Sequence, residues 1–425
     1  MKKFTVSIIG CGSRGCDTYG SLCYAQKDKF EIVALCDVNA SKVKKYGDIY
    51  GVRDSMRFTD EDEFFSKKHS DALVIATLDR DHVRQAIKAI RLGYVILLEK
   101  PVSSDETELK ALLSEQKKYN AKIMVCHVLR YAPAFLKAKE LLNEGTIGDI
   151  VSIDATEQIA YWHFAHSYVR GNWRKEEDTA PMILAKCCHD LDLLQYYAGS
   201  EAVSVNSIGD LTFFKPSNAP SGSAERCVAC KLNNTCPYSA VSYYVENYKS
   251  IGSPENQWPY NVVCPNIPDD ADKLLSAIRD GNYGKCVFHS DNDVCDNQIV
   301  TIRFKNGVNA VLKAVAFTHD IGRRIFFYGT KGEIEFDETR GIIVVKKFGE
   351  DNYTIYMKDL TCNDEFGHGG GDVGIIKSFY QLLTGNENPE TSLEKSVESH
   401  LIGICAEKSR KNGGKCVLID RNIQV

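Results

Sequence analysis

The sequence has no long apolar run, no basic stripe, no short tandem repeat and no low-complexity tail. No stretch approaches the roughly 20 apolar residues that span a bilayer, so no membrane partner is expected. Lys2, Lys3 and the apolar stretch Phe4–Ile9 open the chain as a signal peptide would, but the stretch is too short and Gly10 interrupts it, so secretion is not expected either. Lysines and arginines are dispersed, and the net charge of −5 with a pI of about 6.1 lacks the electrostatic footprint of a nucleic-acid binder. Small molecules are the expected ligands. Sixteen cysteines are scattered over 425 residues with no small-domain framework. Reduced thiols in a cytoplasmic protein fit that pattern better than a disulfide scaffold. The content, 44% hydrophobic and 26% charged, is that of an ordinary globular chain, and the length suggests two or three domains.

What is present begins at Phe4–Ile9, a β-branched apolar run suited to a parallel strand buried on both faces. It runs directly into Gly10-Cys11-Gly12-Ser13-Arg14-Gly15. Gly10 permits a tight turn, Gly12 lets a pyrophosphate approach the backbone, and Gly15 lets the following helix pack on the strand, while the helix N-terminus supplies N–H donors. A GxGxxG alone is weak, because any glycine-rich turn matches it. Here a second apolar strand, 30–36, ends at Asp37, 22 residues beyond Gly15, where a carboxylate accepts from an adenosine ribose. Its negative charge disfavours a 2′-phosphate and so favours NAD; Arg14 and Lys42 leave NADP open. The period repeats, with strands at 72–76, 94–98 and 121–126 and helices through residue 90 and over 102–120. That alternation implies a doubly wound parallel Rossmann sheet over residues 1–125.

Glu99-Lys100-Pro101 falls at the carboxyl end of its strand, where open α/β sheets place ligands. A lysine there can donate to a hydroxyl oxygen and, when partly desolvated, join in proton transfer; from the tripeptide alone a solvated loop lysine explains it as well. With 10–15, Ala76-Thr77 followed by His82, Glu99-Lys100-Pro101 and His189-Asp190-Leu191-Asp192 in this order, the sequence resembles the glucose-fructose oxidoreductase, inositol dehydrogenase and MocA (Gfo/Idh/MocA) family over nearly all the chain outside a middle insertion. The resemblance implies oxidation or reduction of carbohydrate-like alcohols with NAD(P). It adds Ser13, Arg14, Thr77, His82, Glu99 and Lys100 to the cofactor site and gives Lys100 a catalytic or substrate-orienting role. It also implies a homo-oligomer. Where the family often carries an aspartate four residues before its catalytic histidine, this chain has Ala185, followed by Lys186. Either Lys186 takes over substrate binding or this branch runs modified chemistry.

The second domain, 126–425, is expected to be α+β with a large, open, mostly antiparallel sheet. A strand is expected over 150–159, and hairpins over 298–312 and 322–345 turn at Asn306-Gly307 and Lys331-Gly332. Residues 161–174 concentrate Tyr161, Trp162, His163, His166, Tyr168, Arg170, Trp173 and Arg174, suited to stacking on a sugar and binding its hydroxyls. For any one of them, aromatic core packing explains the residue nearly as well. Tyr161, His163, Trp173, Arg174 and, after the strand at 121–126, Arg130 are the expected substrate residues; His127 and Tyr131 border them. His189 is the expected acid/base, because imidazole accepts a hydroxyl proton near neutral pH. Asp192, one turn on, is expected to orient a neighbour or cap structure. His368, on the glycine-rich loop before a helix at 373–383, can reach the site, although glycines that merely permit a bend are the simpler account.

The insertion, around 213–290, carries Cys227-Val228-Ala229-Cys230 and Cys236-Pro237. Three thiolates this close can anchor a structural Zn²⁺, with Cys286 or Cys264 as fourth ligand; an iron–sulfur cluster uses the same ligands, and three unligated thiols are the plain alternative. Three functions follow. The leading one is NAD(P)-dependent oxidation of a secondary alcohol of a sugar, sugar derivative or cyclitol, assisted by Lys100 and His189. The second is an NAD-dependent glycosidase working by transient oxidation, elimination, water addition and re-reduction. The third is a non-enzymatic NAD(P)-binding regulator, against which Lys100 and His189 argue.

Overall fold

Short β-branched strands that are buried along almost their whole length assemble the first layer of the computed structural model, which describes residues 2–252, 258–264, 271–360, 367–385 and 389–421. Strands β1 (Phe4–Ile9), β2 (Phe30–Cys36), β3 (Arg57–Phe58), β4 (Ala72–Ile75), β5 (Val95–Leu98) and β6 (Ile123–Val125) pair in the order β3-β2-β1-β4-β5-β6, all parallel. The chain order reverses between β1 and β4, the switch point at which such sheets open a crevice. Register fixes what lines that crevice: Ile9 pairs with both Cys36 and Ile75, Ile75 with Leu98, and Leu98 with Val125. The next residues along each strand, Gly10, Asp37, Ala76, Glu99 and Cys126, therefore leave the sheet on one common edge. The two-residue β3 has no counterpart in the sequence pattern. The helix expected over 102–120 runs Glu106–Tyr119, with Asp105 Oδ1 accepting from the N–H groups of Thr107 and Glu108 at its start.

The second sheet has nine strands: β7 (Ile150–Gln158), β8 (Ala202–Asp210), β9 (Asn297–Phe304), β10 (Asn309–Val315), β11 (Gly322–Gly329), β12 (Gly332–Asp337), β13 (Ile342–Lys347), β14 (Tyr353–Tyr356) and β15 (Val417–Leu418), ordered β14-β13-β12-β11-β7-β10-β9-β8-β15. Only β7 and β10 run parallel; every other neighbouring pair is antiparallel, as the alternating hydrophobicity predicts. At the β9–β10 hairpin Gly307 takes a φ of +93°, which suits glycine. The helices Cys188–Ala198 and Leu393–Lys411 cover one face of this sheet. The helix Gly371–Thr384 instead returns to the first layer, burying Ile375, Ile376, Phe379 and Leu382 with Val6, Ile8 and Leu35. Between β8 and β9 the chain builds the insertion, residues 211–296, whose own core gathers Tyr244, Val245, Leu274 and Ile278. Among the described residues no helix is long and apolar enough to cross a membrane.

Candidate active site

The nucleotide turn is set by backbone sterics. Gly10 has a φ of +91°, and a Cβ there would lie 2.3 Å from the Ala76 carbonyl oxygen; one on Gly15 would lie 1.9 Å from the Gly10 oxygen. Neither position accepts a side chain. A Cβ on Gly12 would meet nothing within 4 Å, so the space in front of it is open for a ligand's approach. Asp37, at the end of β2, accepts from the N–H groups of Cys11 (2.7 Å) and Asn39 (2.8 Å), which fixes its carboxylate beside the turn. Ser13 is exposed at the start of the following helix, whose first turns are π-helical. These features fit a dinucleotide: an open backbone cradle, a helix N-terminus and a fixed carboxylate.

Arg14 does not face that cradle. Its Nε donates to Glu99 Oε1 at 2.8 Å and an Nη to Asp372 Oδ1 at 2.6 Å, and Tyr19 Oη donates to the same Glu99 oxygen at 2.6 Å. Burial favours the neutral acid at Glu99 and at Asp372, yet Arg14 with Lys100 holds Glu99 below the usual carboxylate range, and His368 with Arg14 does the same for Asp372. Arg14 thus ties the turn to β5 and to the helix Gly371–Thr384. Glu99 Oε2 accepts from the Lys100 N–H at 2.8 Å, so this buried carboxylate positions the lysine. His82, fully buried, sits between the carbonyl oxygens of Pro101 (2.7 Å from Nδ1) and Thr77 (3.2 Å from Nε2) and clasps the two loops together. Thr77 itself donates to Gln85 Oε1 at 2.7 Å.

Lys100 reaches across to the second domain, where its Nζ donates to the Ala185 carbonyl at 3.1 Å. That contact sets it at the helical segment leading to His189. The His189 ring lies 5.9 Å from that of His127 and 6.0 Å from that of His368, and its Nδ1 has no hydrogen-bond partner. Burial, then the nearby Lys100 charge, drives its pKa well below the ordinary value, leaving the imidazole neutral. Asp79, on the loop after β4, completes the cluster; one oxygen is unpartnered, and burial raises its carboxyl while His82 and Lys100 draw it down.

Two of the expected roles look different in three dimensions. Arg130 is buried and paired bidentately with Asp192, Nε to Oδ2 at 2.7 Å and Nη2 to Oδ1 at 2.8 Å, with a further bond to Gln195. Its donors face the protein interior, and the neighbour that Asp192 orients is Arg130. Tyr131 bonds Thr391. Lys186 points to Glu157 (2.9 Å), which also pairs with Arg323 (3.1 Å); Arg323 in turn holds Asp190 (2.8 Å) and Glu338 (3.4 Å). Burial raises Asp190 to about 7, with Glu157 adding to the effect against Arg323, whereas Arg323 and Lys186 overcome burial and keep Glu157 ionised. Glu157, Arg323 and Asp79 were not evident from sequence. One signal was available: Ile153, Ala155 and Glu157 occupy the inward phase of β7, and a carboxylate there demands a partner.

The aromatic segment is partly exposed at Tyr161, Trp162, His163, Trp173 and Arg174. Trp162 and His163 lie against Tyr243 (5.7 Å) and Trp258 (5.4 Å) of the insertion, and Tyr161 against Tyr238 (5.8 Å). His163, its Nδ1 3.2 Å from the Ile159 oxygen, has its pKa well lowered by burial and by Lys186. Trp173 packs on Tyr168 at 6.4 Å. Arg174 turns to Asp291 (3.1 Å) and the Gly171 oxygen (3.4 Å). Cys227, Cys230, Cys236 and Cys286 line one cavity, which Cys264 does not reach.

Comparison with known proteins agrees with this layout. A family model described as "Oxidoreductase family, NAD-binding Rossmann fold" matches residues 4–127, and its companion, "Oxidoreductase family, C-terminal alpha/beta domain", matches 139–418. YteT of Bacillus subtilis, named as an oxidoreductase, is 23% identical over 368 residues, 83% of this chain and 82% of that protein. The 2,7-anhydro-N-acetylneuraminate hydratase of Mediterraneibacter gnavus is 24% identical over 209 residues, 49% of this chain and 53% of its own length. Among solved structures, levoglucosan dehydrogenase in complex with NADH and levoglucosan superposes with a TM-score of 0.71 at 19% identity, covering 99% of this chain and 100% of that one.

Proposed function

This chain belongs to the Gfo/Idh/MocA oxidoreductase family and is an NAD-dependent oxidoreductase, and on that premise we propose that it oxidises a secondary alcohol of a sugar, sugar derivative or cyclitol. The observation that carries the reading is the meeting of Lys100, from the nucleotide domain, with the segment that delivers the neutral His189. The turn 10–15, Asp37 and the open face of Gly12 hold the cofactor, which when bound supplies the hydride acceptor. Lys100 donates to the substrate hydroxyl oxygen, and His189 takes the hydroxyl proton as the C–H bond is given up. Glu99 keeps the lysine in place through its backbone N–H. Tyr161, Trp162 and His163 offer the stacking surface for a pyranose or cyclitol ring. Asp37 favours NAD over NADP, and Arg14, turned to Glu99 and Asp372, does not direct its guanidinium at a 2′-phosphate.

The test is a panel of anhydrosugars, cyclitols and glycosides incubated with the purified chain and NAD or NADP, read by nicotinamide absorbance. NADH formation with one substrate class supports the reading; failure of both nucleotides to bind by calorimetry overturns it.

A second reading has one observation in its favour. Lys186, Glu157 and the near-neutral Asp190 place extra acid/base groups where the family's aspartate is replaced by Ala185, and one relative is named a hydratase. Transient oxidation, elimination, water addition and re-reduction would use them. Product release without NADH accumulation, with solvent deuterium entering the ring, identifies that outcome. The exposed apolar pair Ile208 (60% exposed) and Ile299 (40% exposed), opposed across β8 and β9, supports self-association through the open sheet, and sedimentation of the purified chain tests it.

A further inference from the structure

The insertion poses a stability problem that the dehydrogenase reading leaves unsolved. Among the described residues of 211–296 none belongs to a strand of either sheet; Phe214, Val287 and Phe288 pack into the main core, and the remainder of the insertion gathers only a small cluster around Tyr244, Tyr248, Leu274 and Ile278. Apolar units of that size commonly need a covalent or metal staple. We propose that Cys227, Cys230, Cys236 and Cys286 bind a thiophilic metal centre, either zinc or an iron–sulfur cluster, which fastens the insertion.

Three features converge there. The four thiols are free and wall a single cavity. An antiparallel bridge between Arg226 and Lys285, with the Cys286 N–H donating to the Glu225 oxygen at 2.9 Å, brings two distant loops together at Cys227 and Cys286. The buried Arg170 donates to Cys227 Sγ at 3.6 Å, while its other bonds go to the carbonyls of Lys285 and Tyr238. Four thiolates on a divalent metal carry net negative charge, which this cation offsets.

The sulfurs stand around a space. The one triple of histidine, cysteine or acidic ligand atoms mutually within 4.8 Å among the described residues is His127, Cys188 and His400, so no three of these cysteines are that close. Thiolates at 2.3 Å on one tetrahedral zinc would stand about 3.8 Å apart. An iron–sulfur cluster fills the gap with its own atoms, whereas zinc draws the loops inward. Either outcome uses the same four ligands.

The experiment is elemental analysis of the full chain, purified anaerobically without chelator or metal-affinity resin, for zinc, iron and acid-labile sulfide. About one zinc per chain, or iron with matching sulfide, is expected. Cys230→Ser and Cys236→Ser, at the less buried positions, should each lower occupancy at least tenfold, while Cys416→Ser, at an exposed cysteine outside the cavity, should leave it intact. A wild-type chain that binds NAD, and is therefore folded, yet carries neither metal stoichiometrically overturns the proposal. So does metal that persists in both variants but is lost in Cys188→Ser, which would place it at the histidine triple.

Discussion

The nucleotide turn and the histidine helix meet at Lys100, but they are held by different means. At the turn the decisive atoms are backbone: a positive φ at Gly10, a carbonyl 1.9 Å from where a Gly15 side chain would begin, and open space at Gly12. At the helix the decisive atoms are charged side chains from distant segments, with Glu157, Arg323, Asp190 and Lys186 joined in one buried network and Arg130 with Asp192 in another. The first arrangement depends on local conformation and the second on pairs that desolvation makes costly to break.

Substitution at the meeting point should have the largest effect. Lys100→Ala is expected to lower kcat about 10²- to 10⁴-fold while NAD affinity, measured by calorimetry, stays near wild type. If kcat persists and nucleotide binding falls instead, Lys100 belongs to the nucleotide half and the division fails.

Next come the glycines. Gly15→Ala should destabilise by about 4 kcal/mol or prevent folding, because its Cβ meets fixed backbone. Gly12→Ala, into open space, should leave the melting temperature nearly unchanged but weaken NAD binding about tenfold or more. A matched pair of thermal melts and nucleotide titrations separates the two effects; equal losses of stability would show that the turn has no dedicated ligand space.

Arg130→Ala should cost about 3 kcal/mol in denaturant unfolding by leaving Asp192 buried without its partner. This is where sequence reading fell short, and the reason is physical. GxGxxG, the strand that precedes it and Asp37 are legible because each requirement is local: a residue type at a fixed offset from a strand end. The parallel sheet and the hairpins are legible for the same reason, through their apolar periods. Arg130 and Asp192 are 62 positions apart, and nothing in either neighbourhood reveals that they pair, so an arginine beside the expected site reads as a substrate ligand. Lys186 and Glu157 present the same difficulty. The four cysteines are the intermediate case: CxxC-x5-C is local, Cys286 was expected beside it with Cys264 as the alternative, and in the fold Cys286 lines the same cavity.

The buried histidines add a pH dependence of their own. His400 is lowered by burial from 6.5 to about 4, and His127 to about 3. A histidine with a depressed folded-state pKa stabilises fully above about pH 6.5 and loses that contribution as pH falls through its folded value. For His400 the difference is roughly 3 kcal/mol between neutrality and about pH 4. Asp190, raised to about 7, acts with the opposite sign, its contribution fading as pH rises toward neutrality. Melting temperatures from pH 7 to 5 should therefore fall less steeply for His400→Gln than for wild type; parallel slopes would mean that His400 titrates alike in the folded and unfolded chain.

The smallest effect belongs to Arg174, and it tests the comparison most finely. On sequence alone Arg174 is a substrate residue; in the fold its guanidinium is paired with a half-exposed Asp291 and the Gly171 oxygen. An ion pair with one partner in solvent contributes only about 0–1 kcal/mol. Arg174→Ala should thus change unfolding free energy by about 0.5 kcal/mol or less and leave KM for the alcohol where it was. A tenfold rise in KM with unchanged stability would mean that Arg174 leaves Asp291 when substrate arrives. The substrate half of the site would then be assembled by the ligand, unlike the nucleotide turn, whose backbone is already in place.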